Sequence, residues 1–264
     1  MEVSVAVLVW WASLSAISVV NIALWIALLR KRVAPRLHLV LSGVYVFVCA
    51  FRSFVPRADV QRICFVDSFW ASIFVGRTVA TVAEICFMVQ LVVTARLLAR
   101  ELSPKLLLLV TLPLPMILVA ETCSWYAVLT TNYAGNFIEE SLWMLSGLIF
   151  GISLVVMRRN ATGRLQQLLS IGAVLSLIYF TFMLLVDVRM YFTRLGSDLA
   201  EHRSYLTVGE GLRDAIHRRV VTFAWTDWHE ELAWMFLYFS VTVWFSLYLA
   251  RSAPSFTKRQ PSLD

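Results

Sequence analysis

Charge is what this sequence has least of. Only 15% of its 264 residues are Asp, Glu, Lys or Arg, against about 25% in soluble domains. That excludes an ordinary soluble domain, and with 59% hydrophobic residues it points to a multispanning membrane protein. Lysine is scarcer still: Lys31, Lys105 and Lys258 all lie outside the apolar stretches. No lysine is therefore placed to form a retinal Schiff base inside the last helix. Histidine is limited to His38, His202, His217 and His229, which are scattered, and no CxxC or HxxxH spacing occurs. A zinc site of the usual spacing is excluded, and neither a metal nor another cofactor is expected. Low-complexity tracts and a separate soluble domain are also absent.

Seven apolar stretches are long enough to cross a bilayer as helices: about 5–29, 37–55, 68–95, 105–127, 137–157, 165–191 and 229–250. The second is the shortest. The first has no positive charge before it and RKR after it, and it is too long for a signal-peptide core, so it reads as a retained span. The fold expected is an all-α, seven-helix membrane domain over residues 1–252 with a short cytoplasmic tail at 253–264.

The net charge of +6 reflects helix flanks rather than nucleic-acid binding. Thirteen Lys and Arg residues fall in the linkers after spans one, three and five and in the tail. The opposite linkers hold Arg52, Arg57 and Arg62 after span two and none after span four. This bias places the N-terminus outside and the C-terminus in the cytoplasm. Asn160-Ala161-Thr162 is a glycosylation sequon, but on this topology it is cytoplasmic and expected to be unmodified. Trp10, Trp11, Trp70, Trp125, Trp143, Trp225, Trp228 and Trp234 gather near the outer span ends, as an aromatic belt or the walls of a pocket.

Several helix starts carry capping signals. Asp67 is placed to cap span three, Ser103-Pro104 to open span four, and Asn136 with Glu139 and Asp227 with Glu230 read as capping boxes. In the last outer linker, Thr207 and Glu210 form another box. Val208, Leu212, Ile216, Val220 and Phe223 then recur at helical spacing. This predicts an amphipathic helix over about 207–224 on the outer membrane surface, either docked or acting as a lid. Pro113 and Pro115 predict a kink or local unwinding in span four.

Ionisable residues at membrane depth are costly and mark sites. Glu139, Glu230, Asp227 and Glu231 have explanations as caps or first-turn acids, and Arg52 and Arg189 lie near span ends where they can snorkel. Arg77, Glu84, Glu121 and Asp187 remain, with Glu140 beside them. Arg77 is expected to pair with Glu121, Asp187 or Glu140 in the outer half of the bundle. Glu84 lies seven residues beyond Arg77, which reads as too far for a direct pair. It is expected to be protonated and hydrogen-bonded to Tyr179 or Thr181.

The stretches VAEICF (82–87) and VAETCS (119–124) both place a glutamate near a cysteine, but at different depths, so they do not mark a repeat. Cys49 and Cys86 read as packing residues, and Cys64 and Cys123 as a candidate outer disulfide. The D/E-R-Y triplet of the large receptor class is not matched by Thr94-Ala95-Arg96, and the membrane histidines of metal-dependent seven-span lipid hydrolases are absent. The function expected is a receptor or carrier that binds a small molecule or ion, proton-linked through Glu84. The alternatives are an intramembrane lipid-modifying enzyme using Glu84 or Glu121, and an assembly partner of another membrane protein. The partners expected are the lipid bilayer and a small-molecule, lipid or ion ligand, with no nucleic acid. A bundle of this size is compatible with a homo-oligomer.

Overall fold

The computed structural model describes residues 3–257 and is about 82% helical. The elements are α1 (Val5–Lys31), α2 (Arg36–Phe54), β1 (Arg57–Ala58), β2 (Ile63–Cys64), α3 (Ile73–Leu102), α4 (Pro113–Thr130), α5 (Tyr133–Arg158), α6 (Gly163–Phe182), α7 (Val188–Ala200), α8 (Val208–His217), β3 (Val220–Val221), α9 (Trp225–Phe239) and α10 (Val241–Thr257). Seven segments among the described residues are long and apolar enough to cross a bilayer, which makes this a multi-pass membrane protein. The expected tail extends to 264, but α10 continues to Thr257 and residues 258–264 lie outside the described residues.

The helix starts correct three of the expected caps. Asp67 does not cap α3: its carboxylate accepts from Arg219 Nε at 2.7 Å, while Ser72 Oγ accepts from Val75 N–H at 3.3 Å. The start of α5 is capped by Asn132, whose Oδ1 accepts from Ala134 N–H at 2.9 Å, so Asn136 and Glu139 are already inside the helix. Asp227 accepts from Thr222 Oγ1 at 2.6 Å within α9, where Ala224 holds the cap position. The Thr207–Glu210 box does form, with Thr207 N–H donating to Glu210 Oε2 at 2.9 Å and Glu210 N–H to Thr207 Oγ1 at 3.3 Å.

That box opens a helix shorter than its apolar spacing suggested. The helix ends at His217, and Val220–Val221 form β3 parallel to β2, with Ile63 opposite Val220 and Cys64 opposite Val221. Strand pairing gives the backbone of 220–221 the partners that a longer helix would have supplied. The prolines of span four fall at its start. Residues 104–111 contain two short 3₁₀ turns, and Pro113 opens α4, where a missing N–H costs nothing. Thr111 Oγ1 donates to Leu107 O at 2.7 Å and accepts from Arg96 Nη1 at 2.8 Å.

The sixth span is longer than its apolar run. A π-helical turn at Met183–Asp187 joins α6 to α7, so Gly163–Ala200 is a 38-residue segment. At 1.5 Å per residue it measures about 57 Å, well beyond the ~30 Å of bilayer hydrocarbon.

The chain forms two compact units. The first holds the residues up to Gln90 and those from Leu212 onward; the second holds Leu91–Gly211. In the first, Trp10, Phe65 and Trp228 form an aromatic core, with centroids 6.2 Å apart for Trp10–Phe65 and 4.7 Å for Phe65–Trp228. The indole N–H of Trp228 donates to Thr222 O at 3.0 Å and that of Trp10 to Leu232 O at 3.2 Å. Trp10 and Trp228 are therefore core residues rather than part of an interfacial belt. Trp70, at 63% exposure, remains free to serve in one. In the second unit α4, α5 and α6 follow one another through tight turns, with Thr131 and Gly163 in left-handed backbone conformations. Asn160 sits in the turn after α5, and its side-chain amide donates to Leu102 O at 2.7 Å.

Candidate functional site

The first unit gathers its buried charges around α3. Arg77 and Glu84 form a direct ion pair, Nη2 to Oε2 at 3.2 Å, both largely buried. This overturns the expectation that seven residues is too far. Two helical turns are about 10.5 Å along the axis, and two long side chains laid toward each other over Thr81 close that gap. Glu84 has a second partner that the sequence did not point to: Tyr238 Oη donates to Glu84 Oε1 at 3.0 Å.

Tyr238 is presented by a break in the seventh span. Residues 225–257 are not one regular helix: Ser240 is distorted (φ −117°, ψ −70°) and separates α9 from α10, while its N–H still donates to Phe236 O at 3.1 Å. A break at membrane depth frees carbonyls that need partners. Here Asn21 Nδ2 donates to Phe239 O at 3.0 Å, and Asn21 Oδ1 accepts from Trp244 Nε1 at 2.8 Å. Thr242, just past the break, donates to Tyr238 O and lies 2.9 Å from Tyr45 Oη. Deeper in α10, Ser246 and Gln90 exchange two hydrogen bonds at 2.6 and 2.9 Å. The broken helix is thus tied by hydroxyls and amides to α1, α2 and α3.

Three more charged residues reach the same unit from the end of α2 and the loop after it. Arg57 Nε pairs with Asp59 at 2.5 Å and Nη1 donates to Ala71 O at 3.1 Å. Its stem lies against Gly76 of α3. A Cβ there would collide with Arg57 Cδ and fall 2.6 Å from its Nε, so glycine is what admits the side chain. Burial lowers the Arg57 pKa more than the carboxylate of Asp59 restores it. Burial pushes Asp59 upward, but Arg57, Arg52 and Arg77 together hold its carboxyl below the ordinary carboxylate range.

Arg52 differs from its neighbours. It is 6% exposed, and among the described residues it makes no hydrogen bond or ion pair; its Nε is buried without an acceptor. It acts on the Asp59 carboxylate through charge alone and lies over the face of Phe239, 5.5 Å from the ring centroid. A cation–π contact contributes about 2 kcal/mol when desolvated. Burying a charge costs several kcal/mol even after relaxation, so Phe239 offsets only part of that cost.

The other expected site residues lie in the second unit. Glu121 on α4 is buried, and Glu140 on α5 and Asp187 at the end of the π-helical turn are half-buried. Glu139 of α5, explained from sequence as a cap, is buried and brings a carboxylate oxygen within 4.8 Å of one from Glu121. Neither carboxylate is without a partner. Within the first unit Arg77 pairs with Glu84, and within the second the carboxylates of Glu121 and Glu139 lie close together.

The expected Cys64–Cys123 disulfide is not formed, and all four cysteines are free. The Cys64 thiol is turned into the small sheet, 3.4 Å from Val66 O and 3.8 Å from Val220 O. Burial pushes its pKa up.

Sequence reasoning missed Arg57, Asp59, Tyr45 and Tyr238, and set Arg52 aside as a snorkelling residue. One signal was available. Arg52, Arg57 and Arg62 cluster after the second span, whereas the linker after the fourth span carries no positive charge. Comparison of this chain with protein-family models, with curated proteins and with solved structures gave no match to any of them.

Proposed function

We propose that this multi-pass protein is a receptor or carrier that binds a small molecule or ion at the polar site around Arg77 and Glu84. We place its N-terminus outside and its C-terminus in the cytoplasm. The observation that carries the reading is the Glu84 carboxylate, buried within an apolar span and held at once by Arg77 and by Tyr238 beside a helix break. A purely structural pair needs no link to an interrupted helix. A ligand that competes for either partner of Glu84, or a proton that neutralises it, releases Tyr238 and the α9–α10 joint with it. Ionisable residues inside membrane bundles mark ligand and ion pathways for the same energetic reason. The orientation rests on the thirteen cations of the opposite linkers. Arg57 and Arg62, which run against that count, are held in ion pairs with Asp59 and Asp214.

The test is native mass spectrometry on protein extracted with its lipids, together with flux assays in liposomes. The expected result is a stoichiometric extra mass, or ion flux, that the double variant Arg77→Gln/Glu84→Gln abolishes while the protein stays folded. That variant keeps a neutral polar pair in place of the ionic one, which limits its cost to folding. Folded wild-type protein with neither bound mass nor flux overturns the reading.

A further inference from the structure

We propose that Arg52 seats an oxyanion, a carboxylate or phosphate-type group carried by the ligand of this site. The inference rests on the reading that the first unit holds a ligand, and it assigns that ligand a negative charge. Arg52 is 6% exposed, and its Nε is buried with no acceptor among the described residues. A guanidinium carries five N–H donors, and buried charges are paired. The neighbouring carboxylates make their hydrogen bonds to other groups, although Asp59 also acts on Arg52 through charge. Asp59 is bound by Arg57 at 2.5 Å, and Glu84 by Arg77 at 3.2 Å and by Tyr238 at 3.0 Å.

Phe239 and Cys49 give Arg52 no strong acceptor. The Phe239 ring lies 5.5 Å away, and an aromatic face attracts the charge without accepting the in-plane N–H groups. Cys49, one turn earlier on α2, is a buried thiol and a weak acceptor. The edge of the guanidinium fork is thus the unfilled part of the cluster, and a planar or tetrahedral oxyanion matches that fork with two parallel hydrogen bonds. Arg57 and Arg77 add positive potential nearby through their shared influence on Asp59, which favours an anion over a cation or a neutral amine. Both a free solute and a phospholipid headgroup carry this chemistry.

The experiment measures thermal unfolding of the purified protein against increasing inorganic phosphate and acetate, with native mass spectrometry of lipid-loaded protein as a second arm. A saturable rise in Tm with either anion identifies a free solute; a retained phospholipid without such a rise identifies a headgroup. In either arm, Arg52→Gln is expected to weaken binding about 100-fold. Arg52→Lys keeps the charge but loses the fork, and is expected to weaken binding roughly tenfold; it serves where the glutamine variant fails to fold. Undiminished binding in the Arg52 variants, with loss in Arg77→Gln/Glu84→Gln, overturns the assignment to Arg52 and leaves the ligand site standing. A bound ligand that is neutral or cationic also overturns it. Wild-type protein that holds no ligand of any charge and shows no flux overturns both readings.

Discussion

The two compact units bury opposite charges. The first buries Arg52, Arg57, Arg62 and Arg77 alongside Glu84; in the second the buried charged residues are Glu121, Glu139 and Asp198. They also bring those charges in differently. In the first unit Arg57 and Arg62 come from the loop after α2, which is stitched to the chain between α8 and α9. Arg62 pairs with Asp214, Arg219 with Asp67 at 2.7 Å, and β2 with β3. In the second unit Glu121 and Glu139 stand on successive helices joined by a tight turn. One unit is closed by contacts between distant parts of the sequence and the other by neighbours in sequence. Single substitutions should therefore damage the first unit more than the second.

The largest expected effect is at Trp228, fully buried where the chain before α9 meets Phe65 and Trp10. Trp228→Ala is expected to cost about 4 kcal/mol by removing a large core side chain. Trp143→Ala in the second unit removes a half-buried ring, and should cost less than half as much. Thermal unfolding in one detergent compares them, and equal losses would break the contrast between the units. Next comes Arg77→Met, which takes the paired cation from the buried Glu84 and is expected to cost about 3 kcal/mol. Adding Glu84→Gln should return more than half of that loss. A double variant no more stable than Arg77→Met would mean that the pair contributes nothing as a pair.

This contrast also explains what was legible in the sequence. Seven spans could be read because a bilayer demands about 20 apolar residues in a row whatever their neighbours do. Arg77, Glu84 and Glu121 could be found because a charge inside such a run has no local excuse. Arg57 and Asp59 could not, since a loop residue shows its burial only once β2 has paired with β3, more than half the chain away in sequence. Asn136 and Glu139 were misread for the opposite reason: their spacing fits a capping box, and Asn132, one helical turn earlier, provides the better cap. The break at Ser240 has no proline or glycine to announce it. The Phe239 carbonyl beside it is satisfied by Asn21 from the first span, a partner that periodicity cannot reveal.

A smaller effect is expected from adding one methyl group to each unit. Gly76→Ala drives Cβ into Arg57 Cδ and to 2.6 Å from its Nε, so the Arg57 side chain must move from Asp59. The expected cost is about 2 kcal/mol, the usual range for overpacking. Gly196→Ala lies within α7, where nothing stands within 4 Å of the new Cβ. It is expected to stabilise by up to ~1 kcal/mol through helix propensity. Thermal unfolding of both variants sharpens the comparison, and a stabilising Gly76→Ala would show that Arg57 is not confined by α3.

The smallest effect is a difference in acid sensitivity, and it isolates the loop cluster from the spans. Asp59 has its folded-state pKa held below its unfolded value by Arg57, Arg52 and Arg77 against the upward push of burial. A carboxylate depressed in this way contributes stability that is fully present above its unfolded pKa. That contribution is lost as pH falls through the folded value. Wild-type Tm should therefore decline between about pH 5 and about pH 3. Asp59→Asn removes the titrating group, so it starts lower at neutral pH, where Arg57 has lost its partner, and falls less steeply in acid. The curves of wild type and variant should converge toward low pH, because a protonated Asp59 and the asparagine that replaces it are alike in charge. Other carboxylates such as Glu210, itself depressed by hydrogen bonds from Thr207, titrate in both proteins and cancel in the difference. Parallel curves down to about pH 3 would mean that Asp59 faces water rather than the three arginines.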